Sequence, residues 1–241
     1  MALKEKISIV TATYNAKHVL PGLIASLREQ TDLNFEWVVA DGASTDGTLE
    51  LLMSIKGLDI KIISQEDFGI YDALNRGVKA CSGDYYLVIG ADDIFYPNAI
   101  EVYRAAIEPN VSFVTAGVDV GDVSVFAGRS PSWKGGHAAY FSCHAVGVLI
   151  KKKLHDRYGF YSRRYPILAD QLFLLSAAAG NEQIKKLPVV VGRFNEAGVS
   201  SIDRAGTITE LYRVQLQLGS NKFVQTLLCC FRLLKNIITS K

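Results

Sequence analysis

Two adjacent carboxylates, Asp92 and Asp93, follow a run as apolar as YYLVIGA (85–91). Side by side at the end of a buried strand, they repel each other unless something cationic sits between or beside them. Magnesium or manganese meets that need, since both prefer hard oxygen ligands and are commonly held by one or two carboxylates plus substrate phosphates. A diphosphate-bearing ligand is therefore implied. No GxxxxGK[ST] loop and no GxGxxG turn follows any β-rich run, so neither of the common amide cradles for phosphate is present and a metal must do that work. Two more polar clusters end apolar runs in the same manner: TATYN (11–15) and DGASTDG (41–47). Any one of them is ordinary turn composition. Three at the ends of three of the β-rich runs point to one functional edge.

The elements that must position these clusters follow from periodicity. β-rich runs at 7–13, 35–40, 60–64 and 85–91 alternate with helical stretches near 18–30, from about Thr48, and near 70–81. This βαβαβαβ order predicts an α/β fold, a mostly parallel central sheet with helices on both faces. In such sheets ligands bind beyond the carboxyl ends of the strands, which is where all three clusters fall. Gly47 before a helix, Gly57 after it and Pro97 ahead of another mark the boundaries. From Val111 the pattern is mixed, with β-rich runs at 111–120 and 123–128, a Gly135-Gly136 stretch, a helix near 170–179 and the run VVVGRF (189–194).

With 241 residues, half of them apolar, the chain can bury a large core, and one domain with a tail is expected. The opening MALKEKISIV holds too few apolar residues for a secretory leader, which predicts a cytoplasmic protein. Cys81, Cys143, Cys229 and Cys230 form no CxxC pair and read as reduced thiols. A net charge of +2 gives no reason to expect a nucleic-acid partner. The charge is nevertheless uneven: after Glu210 come five basic residues and no acid.

The series SIVTATYNA, VVADGASTDGT and QEDFGIYDALNRGVKACSGDYYLVIGADD, continuous over residues 7–100, resembles glycosyltransferase family 2, in particular bacterial surface-polysaccharide enzymes. The resemblance implies the GT-A fold, a nucleotide-binding αβα sandwich, and an inverting transfer from a nucleotide diphosphate sugar, taken as a UDP-sugar. The sugar would be a hexosyl or N-acetylhexosaminyl group and the acceptor a glycan or lipid-linked saccharide. It also implies that Thr11 and Tyr14 line the base pocket, that Asp41 accepts a hydrogen bond from base or ribose, and that Arg76 contacts base or phosphate. Arg76 on a solvated helix face is the bland alternative. By the same likeness Asp93 binds the metal, Mn2+ or Mg2+, and Asp92 turns toward the ribose. One departure stands out: many members carry two acids after the second strand, whereas the second place here is Gly42, leaving Asp41 to serve alone.

An inverting transfer is one displacement in which the acceptor hydroxyl loses its proton to a carboxylate. Asp170 opens the apolar helical run DQLFLL after the Pro-bearing loop YPILA (165–169), a place resembling the family's base motif. As a first-turn acid it could equally be only a helix cap. His144, before the apolar run VGVLI, sits where related sequences carry a histidine near donor or acceptor; a core imidazole is the alternative. Gly198, in FNEAGVSS (194–201), resembles the flexible point of a loop that orders over bound donor.

From Lys222 to Thr239 the residues Phe223, Val224, Leu227, Cys230, Phe231, Leu234, Ile237 and Ile238 fall on one helical arc opposite Lys222, Gln225, Arg232, Lys235 and Asn236. Such a helix could dock on the catalytic domain or lie at the surface of an anionic membrane as a peripheral contact. The organisation expected is a catalytic domain over 1–205, divided into a nucleotide-sugar half (1–100) and an acceptor half (101–205), followed by a helical tail at 206–241. A non-catalytic nucleotide-sugar sensor, which would dispense with Asp170, is the competing reading.

Overall fold

The computed structural model describes residues 5–142, 145–195 and 203–239. Strands β1 (Ile7–Thr13), β2 (Phe35–Asp41), β3 (Ile60–Ser64) and β4 (Tyr85–Val88) pair in parallel in the order β3-β2-β1-β4. Because the chain enters at β1 and later returns to its other side, the strand order reverses between β1 and β4, opening a crevice beyond their carboxyl ends. The sheet then turns mixed. It continues through β8 (Val148–Lys151), β6 (Phe113–Val120), β9 (Ile184–Phe194) and β5 (Ile94–Phe95), with β7 (Val123–Val125) paired to β6.

β1 and β2 are buried along almost their whole length, which explains why they read as continuous apolar runs rather than alternating ones. One face is covered by α1 (Leu20–Arg28), α2 (Thr48–Met53) and α4 (Ala99–Ala106), through Leu20, Leu23, Leu52, Ile100 and Tyr103. The other is covered by α3 (Ile70–Ala80), α6 (Leu154–Tyr158) and α7 (Ala169–Ala179), through Tyr71, Leu74, Val78, Leu154 and Phe173. α1 buries Leu20, Leu23, Ile24 and Leu27, the i, i+3, i+4, i+7 stripe of an amphipathic helix, with Pro21 in its first turn. α3 presses on β1 at Gly77, where a Cβ would stand 2.5 Å from Val10 Cγ1.

β4 is shorter than the run YYLVIGA suggested. It ends at Val88, because the Gly90 amide donates to Asp93 Oδ2 (3.0 Å) and the Asp93 amide to the Gly90 carbonyl (3.3 Å), turning the chain before Asp92. The Gly-rich stretch forms the short α5 (Ser132–Gly135) and a 3-10 turn over 136–139.

Two helices close the chain, α8 (Arg204–Gln217) and α9 (Lys222–Thr239). α8 belongs to the body of the domain, burying Glu210, Val214 and Gln215. α9 is the helix expected at 222–239, and it docks by its polar side. Gln225, its buried residue, donates to the Trp133 carbonyl (2.7 Å), and Arg232 donates to that of Lys134 (2.5 Å). Phe223, Leu227, Phe231, Leu234, Ile237 and Ile238 point away and are each more than half exposed. Domain contact and an outward apolar arc thus coexist. Among the described residues no helix is long and apolar enough to cross a membrane.

Candidate active site

A cavity of about 240 Å³ lies over the carboxyl ends of β1 and β4, lined among others by Asp92, Asp93, His137, Tyr71, Asp170 and Phe194. The acid pair from the nucleotide half and the candidate base from the other half therefore share one chamber. Asp93 is 1% exposed. Its carboxylate accepts the Gly90 amide at Oδ2 and the Asn195 amide at Oδ1, both at 3.0 Å. Gly90 has to lack a side chain, since a Cβ there would be 2.6 Å from Asp93 Oδ2. Burial pushes the Asp93 carboxyl up to about 7; the neighbouring Asp92 charge adds to this, and the two amide bonds oppose it.

A carboxylate so costly to ionise, next to a second acid, is the setting a bound cation would relieve. The donor set fits magnesium or manganese in being all oxygen. Among the described residues no group of three His, Cys, Asp or Glu side chains could hold an ion, so most of its ligands would have to come from water and a substrate's phosphates. Asn195, which ties β9 to Asp93, sits three residues before Gly198. Both Gly198 and His144 lie outside the described residues.

The residues expected around the base divide. Tyr14 is 69% exposed at the end of β1, available as a flat platform. Thr11 faces the other way: its side chain is fully buried and its hydroxyl accepts Trp37 Nε1–H at 3.0 Å, so it lines the core and not the cavity. The parity of β1 gives the cavity Ala12 instead. Asp41 is also fully buried. It accepts four hydrogen bonds from the protein itself, from Thr13 Oγ1 (2.9 Å), Ser44 N (2.9 Å), Ser44 Oγ (2.5 Å) and Ser64 Oγ (2.9 Å). Burial raises its pKa, but those bonds outweigh it and hold the carboxyl below its ordinary value. Asp41 thus braces the loop after β2, and direct contact with a nucleotide by either its carboxylate or the Thr11 side chain is not what this geometry supports.

Arg76 is not on a solvated face. Its Nη2 donates to the Asp41 carbonyl (2.8 Å) and lies 3.8 Å from Asp67 Oδ2, while Nε and Nη1 are buried without an acceptor among the described residues.

Asp170 stands in the first turn of α7, as a cap reading requires, yet it also lines the cavity. Its Oδ1 accepts the Gln171 amide (2.8 Å) and faces the Tyr71 hydroxyl (2.7 Å), which also meets the Ile167 carbonyl at 2.7 Å. The preceding loop is held from α8, where the buried Glu210 carboxylate accepts the Ile167 and Leu168 amides at 3.1 and 2.8 Å. Tyr71 and His137, in the cavity wall, and Asp67, at the Gly42 corner, were not singled out from the sequence. Tyr71 had a signal, its place in the YDALN segment five residues before Arg76. His137 had none, because its Gly-rich surroundings predict no particular direction.

The sequence model described as Glycosyl transferase family 2 matches residues 8–167. A PGL/p-HBAD biosynthesis glycosyltransferase of Mycobacterium bovis is 32% identical over 207 residues, 79% of this chain and 77% of that protein. Among solved structures, Staphylococcus aureus TarS 1–349 in complex with UDP-GlcNAc is similar with a TM-score of 0.70 at 18% identity, over 96% of this chain and 72% of that one. Against the longer TarS chain the match spans 43% of it. The mannosyltransferase PcManGT from Pyrobaculum calidifontis, in complex with GDP-Man and Mn2+, gives 0.67 at 17% identity, over 98% of this chain and 76% of that one. At such identities the structures establish the GT-A fold, and with the family model matching more than half of its length the chain belongs to glycosyl transferase family 2 as a glycosyltransferase.

Proposed function

We propose that the protein transfers a hexosyl or N-acetylhexosaminyl group, with inversion, from a UDP-sugar to a hydroxyl of a glycan or lipid-linked saccharide in surface polysaccharide synthesis. The observation that carries this reading is the single cavity shared by Asp92, Asp93 and Asp170. Donors named for the similar structures, UDP-GlcNAc for TarS and GDP-Man with Mn2+ for PcManGT, are consistent with it. Asp93 would hold Mn2+ or Mg2+ and Asp92 the ribose, while Tyr14 and Arg76 address the base end. When bound, the cation would neutralise the diphosphate and ease its departure.

Asp170 is assigned as the base. Its Oδ1 is tied by the Gln171 amide and the Tyr71 hydroxyl, so its orientation is set before an acceptor arrives. Among the described residues nothing bonds Oδ2, which leaves that atom to take the proton of the attacking hydroxyl. Glu210 keeps the loop ahead of Asp170 in place by accepting its amides. His144 and Gly198 are retained as candidate donor or acceptor contacts.

The outward arc of α9 supports peripheral contact with the cytoplasmic face of a membrane. Its occupant would be an anionic lipid surface, since five basic residues and no acid follow Glu210. Trp133, half exposed beside α9, extends the surface. The boundary expected at 205/206 falls inside α8 (Arg204–Gln217), which packs on the catalytic part, so the separable tail is taken to be α9 alone, after Gly219.

The test is a screen of nucleotide sugars, with Mn2+ or Mg2+ and with chelator, for thermal stabilisation, followed by transfer assays of the wild type and Asp170→Asn. Binding that ignores chelator would overturn the metal reading. Donor binding without transfer or hydrolysis in the wild type would favour the sensor.

A further inference from the structure

The corner between β1, β2 and α3 holds a carboxylate that no strand-end motif supplies. Gly42 does not take a positive φ, so backbone conformation does not demand a glycine there. Space does: a Cβ at residue 42 would stand 2.6 Å from Asp67 Oδ2, 3.3 Å from Asp67 Cγ and 3.3 Å from Tyr14 Cδ2. The volume that a side chain at position 42 would fill is taken by the Asp67 carboxylate, beside the Tyr14 ring. Asp41, the neighbouring acid, is saturated by Thr13, Ser44 and Ser64 and has no exposed surface.

Asp67 is held for a purpose that its local bonds do not exhaust. Oδ1 accepts the Gly69 amide at 3.0 Å, which fixes the side chain, whereas among the described residues the one cation near Oδ2 is Arg76 Nη2 at 3.8 Å, beyond hydrogen-bond distance. The side chain keeps 16% of its surface exposed, and Tyr14 next to it is an open aromatic face. An aromatic platform flanked by one fixed acceptor is a reader of planar rings that present an N–H at their edge.

Resting on the reading that a nucleoside diphosphate places its base at Tyr14, we propose that Asp67 determines which base is accepted. Its Oδ2 accepts the ring N–H of uracil or guanine. Cytosine and adenine carry an unprotonated ring nitrogen at the same edge, and its lone pair faces the carboxylate with no proton between them. Asp67 thus supplies from the β3–α3 loop the acceptor that Gly42 lacks. Asp41 is left to brace the loop.

Calorimetric titration with UDP, CDP, GDP and ADP in the presence of Mn2+ tests this on the full chain, comparing the wild type with Asp67→Asn and Gly42→Ala. The wild type is expected to bind UDP or GDP at least tenfold tighter than CDP and ADP. Asp67→Asn keeps the shape but can turn an amide N–H toward cytosine N3, and it should narrow the UDP-to-CDP ratio by about 10- to 100-fold. Gly42→Ala leaves every charge in place and pushes a methyl against Oδ2. It should weaken UDP selectively, which keeps the test open if Asp67→Asn folds poorly. A preference for CDP or ADP in the wild type, or an unchanged UDP-to-CDP ratio in both variants, overturns the assignment of Asp67 alone. Binding of none of the four nucleotides by the folded wild type overturns the donor reading and this inference with it.

Discussion

Replacing Asp93 by Asn should flatten the pH dependence of folding stability. Burial lifts this carboxyl from 3.8 to about 7. At about 1.4 kcal/mol for each pKa unit, that rise is a destabilisation of about 4 kcal/mol once the group is fully ionised. Because the folded-state value lies above the unfolded one, the folded protein keeps a proton that the unfolded chain has released. Stability is therefore highest below about pH 4 and is lost as pH rises through about 7. Of the total, roughly 3 kcal/mol falls between pH 5 and 8.5. Other titrating groups act alike in both proteins, so the difference in slope isolates Asp93. Denaturant unfolding of the wild type and Asp93→Asn at pH 5, 7 and 8.5 would measure it. Asn also turns an N–H toward one of the amides that Asp93 accepts, which lowers its stability at every pH without changing the slope. Mn2+ with UDP should remove the wild-type slope, since the cation compensates the ionised form, and the affinity for that pair should tighten up to tenfold per pH unit below about 7. Parallel stability curves for the two proteins, with UDP binding indifferent to pH, would refute both the burial argument and the placement of a cation at Asp93.

Asp170→Asn should leave donor affinity within a few fold and lower the transfer rate by about 10² to 10⁴, read by steady-state kinetics beside calorimetric donor binding; a loss of folding stability with normal transfer would restore the cap reading. Glu210→Ala strands two amides of the loop before Asp170, that of Leu168 buried and that of Ile167 partly so, and denaturation should show a loss of about 1–3 kcal/mol. Its kcat should fall with donor affinity unchanged, and full activity would separate α8 from the site. Truncation after Gly219 removes a helix whose buried residue is Gln225. The shortened protein should melt close to the full chain and bind donor normally, yet fail to sediment with anionic vesicles. Unfolding of that truncation, or vesicle binding insensitive to salt, would count against the membrane reading.

Much of the frame was determined by the sequence alone, because it rests on local rules. Short apolar, β-rich runs read as strands at 7–13 and 60–64, where the structure has β1 and β3, and helical spacing placed α3 at 70–81 against the observed Ile70–Ala80. The acid pair after β4 was legible too, since two carboxylates behind an apolar run need an explanation wherever they fall. What stayed hidden depends on pairings between residues distant along the chain. The sequence placed Thr11 and Asp41 at a strand end, but strand parity turned Thr11 to Trp37, and Ser44 and Ser64 used up the Asp41 oxygens. Gly42 looked like a missing acid until the fold brought Asp67 into its space. Tyr71 meets Asp170 across 99 positions, a contact that no spacing rule contains. The helical arc of α9 was plain in its periodicity, yet periodicity defines an apolar side without saying what that side faces. The direction was decided by the carbonyls of Trp133 and Lys134, which bind the polar side and leave the apolar one outward.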